Sequence, residues 1–265
     1  MIIAANWKMN LTRSQASNLI EDYLMCKDIL DKRLSKIFFV PSCYLYLAKE
    51  KFKNLDIINN ISYGAQNCSS FDDGAYTGDI SAKMISSLGS RWVLLGHSER
   101  RINFNETSEE LAKKIFNAFI NGLSVVFCVG ENLSARKSGN QKQIILEQLE
   151  SSFSLLLHYQ EIKNLKIIPN LIIAYEPIWA IGSGLVPKID EIEEIHILIK
   201  NFFCKKEFSL KFNFNNDIPV LYGGSVNPEN TLNLISNKNI NGVLVGGASL
   251  NFKDFSAICA NANVK

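Results

Sequence analysis

The stretch "LIIAYEPIWAIGSG" (residues 171–184) sets one carboxylate, Glu176, between an apolar run and a proline. Proline has no amide to give to a β-ladder and pushes the residue before it into extended geometry, so a strand ends here with Glu176 at its mouth. The residues that follow, "IWAIGSG" (178–184), place apolar surface between a rigid start and two glycines. That composition suits a segment folded over something rather than a solvated loop.

Working outward, similar short apolar runs recur along the chain: "IIAAN" (2–6), "IFFV" (37–40), "ISYGAQ" (61–66), "WVLLG" (92–96), "SVVFCVG" (124–130), "IPVLYGG" (218–224) and "GVLVGG" (242–247). Several are apolar on successive residues, as expected of parallel strands buried on both faces. Helical patterns lie between them. In 190–203, Ile192, Ile195, Ile199 and Phe202 recur at spacings of three and four, one buried face. The helical signal after the third run is weak. Eight strand-then-helix units in 265 residues, with no linker, predict an α/β chain folded as a single (β/α)8 barrel domain over 1–265. Periodicity alone also allows an open doubly wound sheet. Polar residues gather at the C-terminal ends of the strands, the functional face of a barrel: Asn6, Lys8, Gln66, Asn67, His97, Glu131, Glu176 and Ser225, with Gly246 and Gly247.

The bulk numbers exclude several classes. A chain that is 47% hydrophobic and 20% charged, with net charge +2, is an ordinary globular protein with no bulk charge to attract nucleic acid or a membrane surface. Cysteines 26, 43, 68, 128, 204 and 259 lack the spacings of zinc sites or secreted disulfide scaffolds. Asn6 and Lys8 interrupt the first apolar run too early for a signal peptide, and no run approaches the roughly 18 apolar residues of a membrane span. The expectation is a cytoplasmic protein. The richness in lysine, asparagine and isoleucine, as in "NFNN" (213–216), reads as biased base composition.

Three features carry chemistry. His97 in "LLGHSERR" follows a strand and a glycine and opens a helical turn, where backbone amides favour neutral over charged imidazole. His158 and His196 lie inside helical patterns and read as ordinary helix residues. Lys8 in "NWKMN" is a cation at the mouth of the first strand, next to Asn6. "YGGSV" (222–226) and "GVLVGGASL" (242–250) end the seventh and eighth strands in small residues, the place where barrels bind phosphate through helix-start amides.

Together, "NWKMN", "GHSERR", "AYEPIWAIGSG", "YGGSV" and "LVGGASL", in this order, resemble the triosephosphate isomerases over essentially the whole chain. The resemblance implies interconversion of D-glyceraldehyde 3-phosphate and dihydroxyacetone phosphate through an enediolate, a step of glycolysis and gluconeogenesis. It gives Glu176 the role of base, His97 that of neutral electrophile and Lys8 that of electrostatic partner of the substrate, with Asn6 positioning and Glu99 near the lysine. Phosphate binding falls to Gly182 and Ser183 in a mobile lid, Ser225, Gly246 and Gly247, with Asn6 and Lys8 beside the substrate. No metal or organic cofactor is implied. A homodimer is, through a third loop that carries Thr77 near its tip. Cys128 matches a family cysteine read here as packing. The chain departs from the pattern at Asp79, Ser183 and Asn241, where glutamate, threonine and aspartate are frequent. Two rival readings are another phosphate-binding barrel enzyme, opposed by the lysine–histidine–glutamate set, and a non-catalytic barrel with a binding role, opposed by the presence of every catalytic residue.

Overall fold

The apolar runs become β1 (Ile2–Asn6), β2 (Ser35–Val40), β3 (Ile61–Ala65), β4 (Trp92–Leu95), β5 (Ser124–Val129), β6 (Leu171–Tyr175), β7 (Val220–Tyr222) and β8 (Gly242–Val245). In the computed structural model, which describes residues 1–53, 55, 60–159, 169–205 and 218–263, they form a closed barrel in chain order. The asparagine-rich 213–216 lies outside the described residues. Each strand pairs in parallel with the next, and Ile2 opposite Gly242 through Ala5 opposite Val245 joins the first to the last, so the open-sheet alternative falls.

The unbroken apolar runs follow from closure, because both strand faces are buried. Ala4, Ile37, Phe39, Leu94, Val126, Cys128, Ile172, Ala174, Leu221 and Leu244 fill the barrel interior. Their neighbours, among them Ile3, Ala5, Phe38, Val125 and Ile173, belong to the core under the helices. Full burial of such a side chain is worth roughly 1.5–3 kcal/mol, so neither layer is dispensable.

The helix Ile189–Phe203 buries Ile192, Ile195, Ile199 and Phe202, the face its spacing predicts. Its start is fixed by the Glu191 carboxylate, which accepts from the Lys188 amide at 2.8 Å. His196 lies in this helix, as its pattern predicts, on the buried face. It is completely buried, with Nδ1 3.2 Å from the Asn239 carbonyl. The weak helical signal after β3 has a structural cause: the chain first makes a projecting loop, and only the short helix Ala82–Ser87 follows, capped by the Ser81 hydroxyl accepting from the Met84 amide at 3.2 Å. In that loop Phe71 and Tyr76 stack at 3.8 Å between centroids, and Gly74 and Gly78 have φ of +120° and +95°. Among the described residues no helix is long and apolar enough to cross a membrane.

Candidate active site

Glu176 follows β6 directly and is 2% exposed. Its amide donates to the Val129 carbonyl at 2.8 Å, which extends the β5–β6 pairing by one residue and fixes the backbone at the strand mouth. The carboxylate has two neighbours from the β4 end: Oε2 accepts from the Ser98 amide at 3.3 Å, and Oε1 lies 3.2 Å from Nε2 of His97. Two glycines make room for it. A Cβ at Gly130 would come within 1.8 Å of the Glu176 carbonyl oxygen, and one at Gly223 within 2.9 Å of its Cγ.

His97 caps the helix Ser98–Asn103, and its Nδ1 accepts from the Glu99 amide at 3.2 Å. A ring nitrogen that accepts an N–H carries no hydrogen, so the ring keeps its hydrogen at Nε2, facing Glu176. Beneath, Arg101 spans two strand ends, with Nε donating to the Gly96 carbonyl at 2.9 Å and an Nη to the Cys128 carbonyl at 3.2 Å. Cys128 itself is completely buried in the barrel interior, and burial with the charge of Glu176 holds its thiol well above the usual range.

Lys8 reaches Glu99, Nζ to Oε1 at 2.6 Å. Its backbone is left-handed, φ 54°, a conformation that costs a non-glycine residue about 1–3 kcal/mol and persists only where neighbours impose it. They do so from both sides. The Lys8 amide donates to Oδ1 of Asn6 at 3.0 Å, and its carbonyl accepts from Nε2 of Gln66 at 3.0 Å, the same nitrogen that bonds the Phe39 carbonyl at 3.0 Å.

A cavity of about 300 Å³ brings these groups together: Asn6, Lys8, His97 and Glu176 line it along with Gly182, Ser225, Gly246 and Gly247. The short helix Gly247–Leu250 starts at its wall. The first amides of such a turn have no partner within it. Two predicted residues stand apart. Glu99 lines a neighbouring cleft rather than this cavity. Ser183 is exposed, its hydroxyl donating to the Trp179 carbonyl at 3.1 Å and accepting from the Leu185 amide at 3.2 Å.

The segment after Glu176 starts from a fixed base. Ile178–Ala180 form a helical turn whose first amide donates to the Glu131 carbonyl at 3.0 Å. Glu131 is completely buried, and its Oε1 accepts from Trp179 Nε1 at 3.0 Å and from the Tyr175 hydroxyl at 3.2 Å. Burial raises this carboxyl above the usual range. Arg136 lies 6.0 Å from the Trp179 ring and pairs with Glu191 at 2.7 Å, tying the segment's base to the next helix. Beyond the base, Gly182 and Gly184 have φ of 64° and 75°, and Leu185 and Val186 are 56% and 41% exposed. Ser225 meets the segment from β7, amide and hydroxyl both donating to the Ala180 carbonyl, at 3.1 and 2.6 Å.

A family model described as triosephosphate isomerase matches residues 1–262. The chain belongs to the triosephosphate isomerase family. Curated relatives named triosephosphate isomerase agree: one from Amoebophilus asiaticus is 41% identical over 96% of this chain and 96% of its own length, and one from Lawsonia intracellularis is 37% identical over 97% and 96%. A third, from Chlamydia muridarum, is 38% identical over 97% of this chain and 89% of its own length. Two departures from the triosephosphate isomerase pattern have local partners. Asp79 accepts from the Ser69 hydroxyl at 2.7 Å, closing the base of the third loop. Asn241 accepts through Oδ1 from the Val220 amide at 2.9 Å, a bond that needs only an acceptor and that aspartate would also make. Gly130, Gly223, Arg101 and Glu131 complete the surroundings; Glu131 is a polar residue at a strand end, and Gly223 and Arg101 lie inside the motifs "YGGSV" and "GHSERR", which give them no individual role.

Proposed function

We propose that the chain interconverts D-glyceraldehyde 3-phosphate and dihydroxyacetone phosphate by proton transfer through an enediolate. One observation carries the reading: Glu176, His97 and Lys8 face one cavity with the glycine-rich ends of β7 and β8, the Glu176 carboxylate 3.2 Å from Nε2 of His97. With the phosphate held by amides at Gly246 and Gly247, the carbon beside the substrate carbonyl lies toward Glu176. Glu176 removes a proton from that carbon, and the electron pair moves toward the carbonyl oxygen. The N–H at Nε2 of His97 and the ammonium of Lys8 stabilise the charge that develops there. Asn6 holds Lys8 in place, and Glu99 steadies its ammonium. The acid formed at Glu176 then returns the proton to the adjacent carbon, while His97 gives its Nε2 proton to the charged oxygen and takes the hydroxyl proton from the other, so that the new carbonyl forms there. Every group in this scheme belongs to the chain itself, and no cofactor enters.

The segment 177–184 acts as a lid, with Gly182 and Ser183 contributing to the phosphate's cover. Its fixed base and exposed glycine tip support this role. The working unit is a homodimer in the cytoplasm. Thr77 stands exposed in the projecting third loop, and a cleft of about 630 Å³ opens beside Lys8, with Met9 and Phe104 on its rim 96% and 64% exposed. On this reading a second copy's third loop enters that cleft.

The direct test supplies glyceraldehyde 3-phosphate and follows dihydroxyacetone phosphate through a coupled NADH-dependent reductase. Saturable turnover, competitively inhibited by 2-phosphoglycolate, is expected. Absence of turnover in a folded protein overturns the reading.

A further inference from the structure

We propose that Tyr23 is a positioning residue for the anion-binding turn after β8. The proposal rests on the reading of that turn as the phosphate site and names a residue outside the cavity that sets its aim. The turn is folded by Ser249, whose amide and hydroxyl both donate to the Gly246 carbonyl, at 2.8 and 2.7 Å, and whose hydroxyl also lies 3.5 Å from the Asn6 carbonyl. With its donors committed to Gly246, Ser249 is completely buried, and its own carbonyl accepts a hydrogen bond from the Tyr23 hydroxyl. Tyr23 comes from the far side of the barrel wall, in the helix Arg13–Leu24.

The phenol is well placed to act as a fixed post. Tyr23 is completely buried, and its ring lies 5.1 Å from Phe38, near-parallel at 27°, and 5.2 Å from Phe255. Phe38 in turn stacks on Phe52 at 5.1 Å. An aromatic stack thus fixes where the hydroxyl sits, and the hydroxyl fixes the Ser249 carbonyl. Burial raises the phenol's ionisation above the usual tyrosine range, so it stays a donor. Amides bind an anion well only when their N–H vectors converge on it; the Ser249–Gly246 bonds hold the turn's own shape, and the Tyr23 hydroxyl ties that turn to the helix behind it and so sets its direction. Tyr23 touches neither Glu176 nor His97 in any hydrogen bond, so its effect falls on phosphate binding rather than on proton transfer.

Tyr23→Phe is the test, because it keeps the ring in its stack and removes only the hydroxyl. Calorimetric titration with 2-phosphoglycolate and with inorganic phosphate reads the anion site, and steady-state kinetics separate KM from kcat. The Kd values and KM are expected to rise roughly three- to tenfold, the range of one lost hydrogen bond, with kcat within about twofold of the parent. Leu149→Ala, in the fully buried face of the helix Gln141–His158, is the control for loss of stability alone and should leave both Kd values unchanged. Parental anion affinity in Tyr23→Phe, or a loss no larger than in Leu149→Ala, overturns the proposal. A parent that binds neither anion nor turns over triose phosphate overturns the underlying reading instead, whatever the variant does.

Discussion

A methyl group added at Gly223 would stand 2.9 Å from Cγ of Glu176, so the carboxylate keeps its place beside His97 and Ser98 only while that position lacks a side chain. Gly223→Ala should therefore displace the base without removing it. The expected result is a drop in kcat of at least tenfold, with a melting temperature close to the parent's, measured by coupled assay and calorimetry. Glu176→Gln removes the base itself and leaves the volume unchanged. Positioned proton transfer is worth about 10²–10⁴-fold, and kcat should fall by at least that while 2-phosphoglycolate still binds. Parental turnover in this variant would remove Glu176 from its role. At this scale the sequence is half legible. Glu176, His97 and Lys8 announce themselves because a charge at a strand mouth is out of place in an apolar pattern. Gly130 does not, since what requires a glycine there is the backbone of Glu176, 46 positions away in the chain, and Gly223 shows in "YGGSV" only as a glycine, not as the neighbour of the Glu176 side chain.

The segment from Pro177 to Gly184 behaves as one element with an anchored start and a loose tip. Trp179 is held by Glu131, while nothing lies within 4 Å of a Cβ built at Gly182 or Gly184. Surface deletions of this kind are tolerated by a scaffold, so removal of residues 181–184 should leave a folded barrel. An enediolate phosphate exposed to water expels its phosphate, and the deletion variant should release methylglyoxal, bind 2-phosphoglycolate more weakly and turn over slowly. Tight 2-phosphoglycolate binding with no extra methylglyoxal would make the segment mere packing on the barrel top. The strands themselves are easy to read, since burial on both faces writes them as runs of Val, Ile, Leu and Phe. The helix Ile189–Phe203 is as clear, because its buried face recurs at helical spacing. The region after β3 is opaque for the opposite reason. Its chain projects from the barrel as a loop, and its aromatic residues pack on each other rather than on a periodic core.

Whole-molecule behaviour depends on groups remote from the cavity. Burial pushes His196 down to about 3, below the ordinary 6.5, and its Nδ1–H donates to the Asn239 carbonyl. Between those pH values the unfolded chain takes up a proton that the folded one refuses, so stability falls as pH drops from about 6.5 toward 3. His196→Gln should flatten that acid limb in urea unfolding series from pH 7 to 4; an unchanged slope would assign the limb to other groups. Assembly is tested at Thr77, exposed in the projecting loop. Thr77→Arg should overpack the contact with a second copy and give weakly active monomers by analytical ultracentrifugation. A fully active monomer of the parent at micromolar concentration would refute the dimer. The seam between β1 and β8 bears on how the molecule is made. Ile2 waits for Gly242, so during synthesis the first strand leaves the ribosome some 240 residues before its partner. Until then the growing sheet has two bare edges, each a template for pairing with another nascent chain. For this protein the last strand to emerge is the one that ends that exposure, and a ribosome stalled short of Gly242 releases a chain whose barrel has no means of closing.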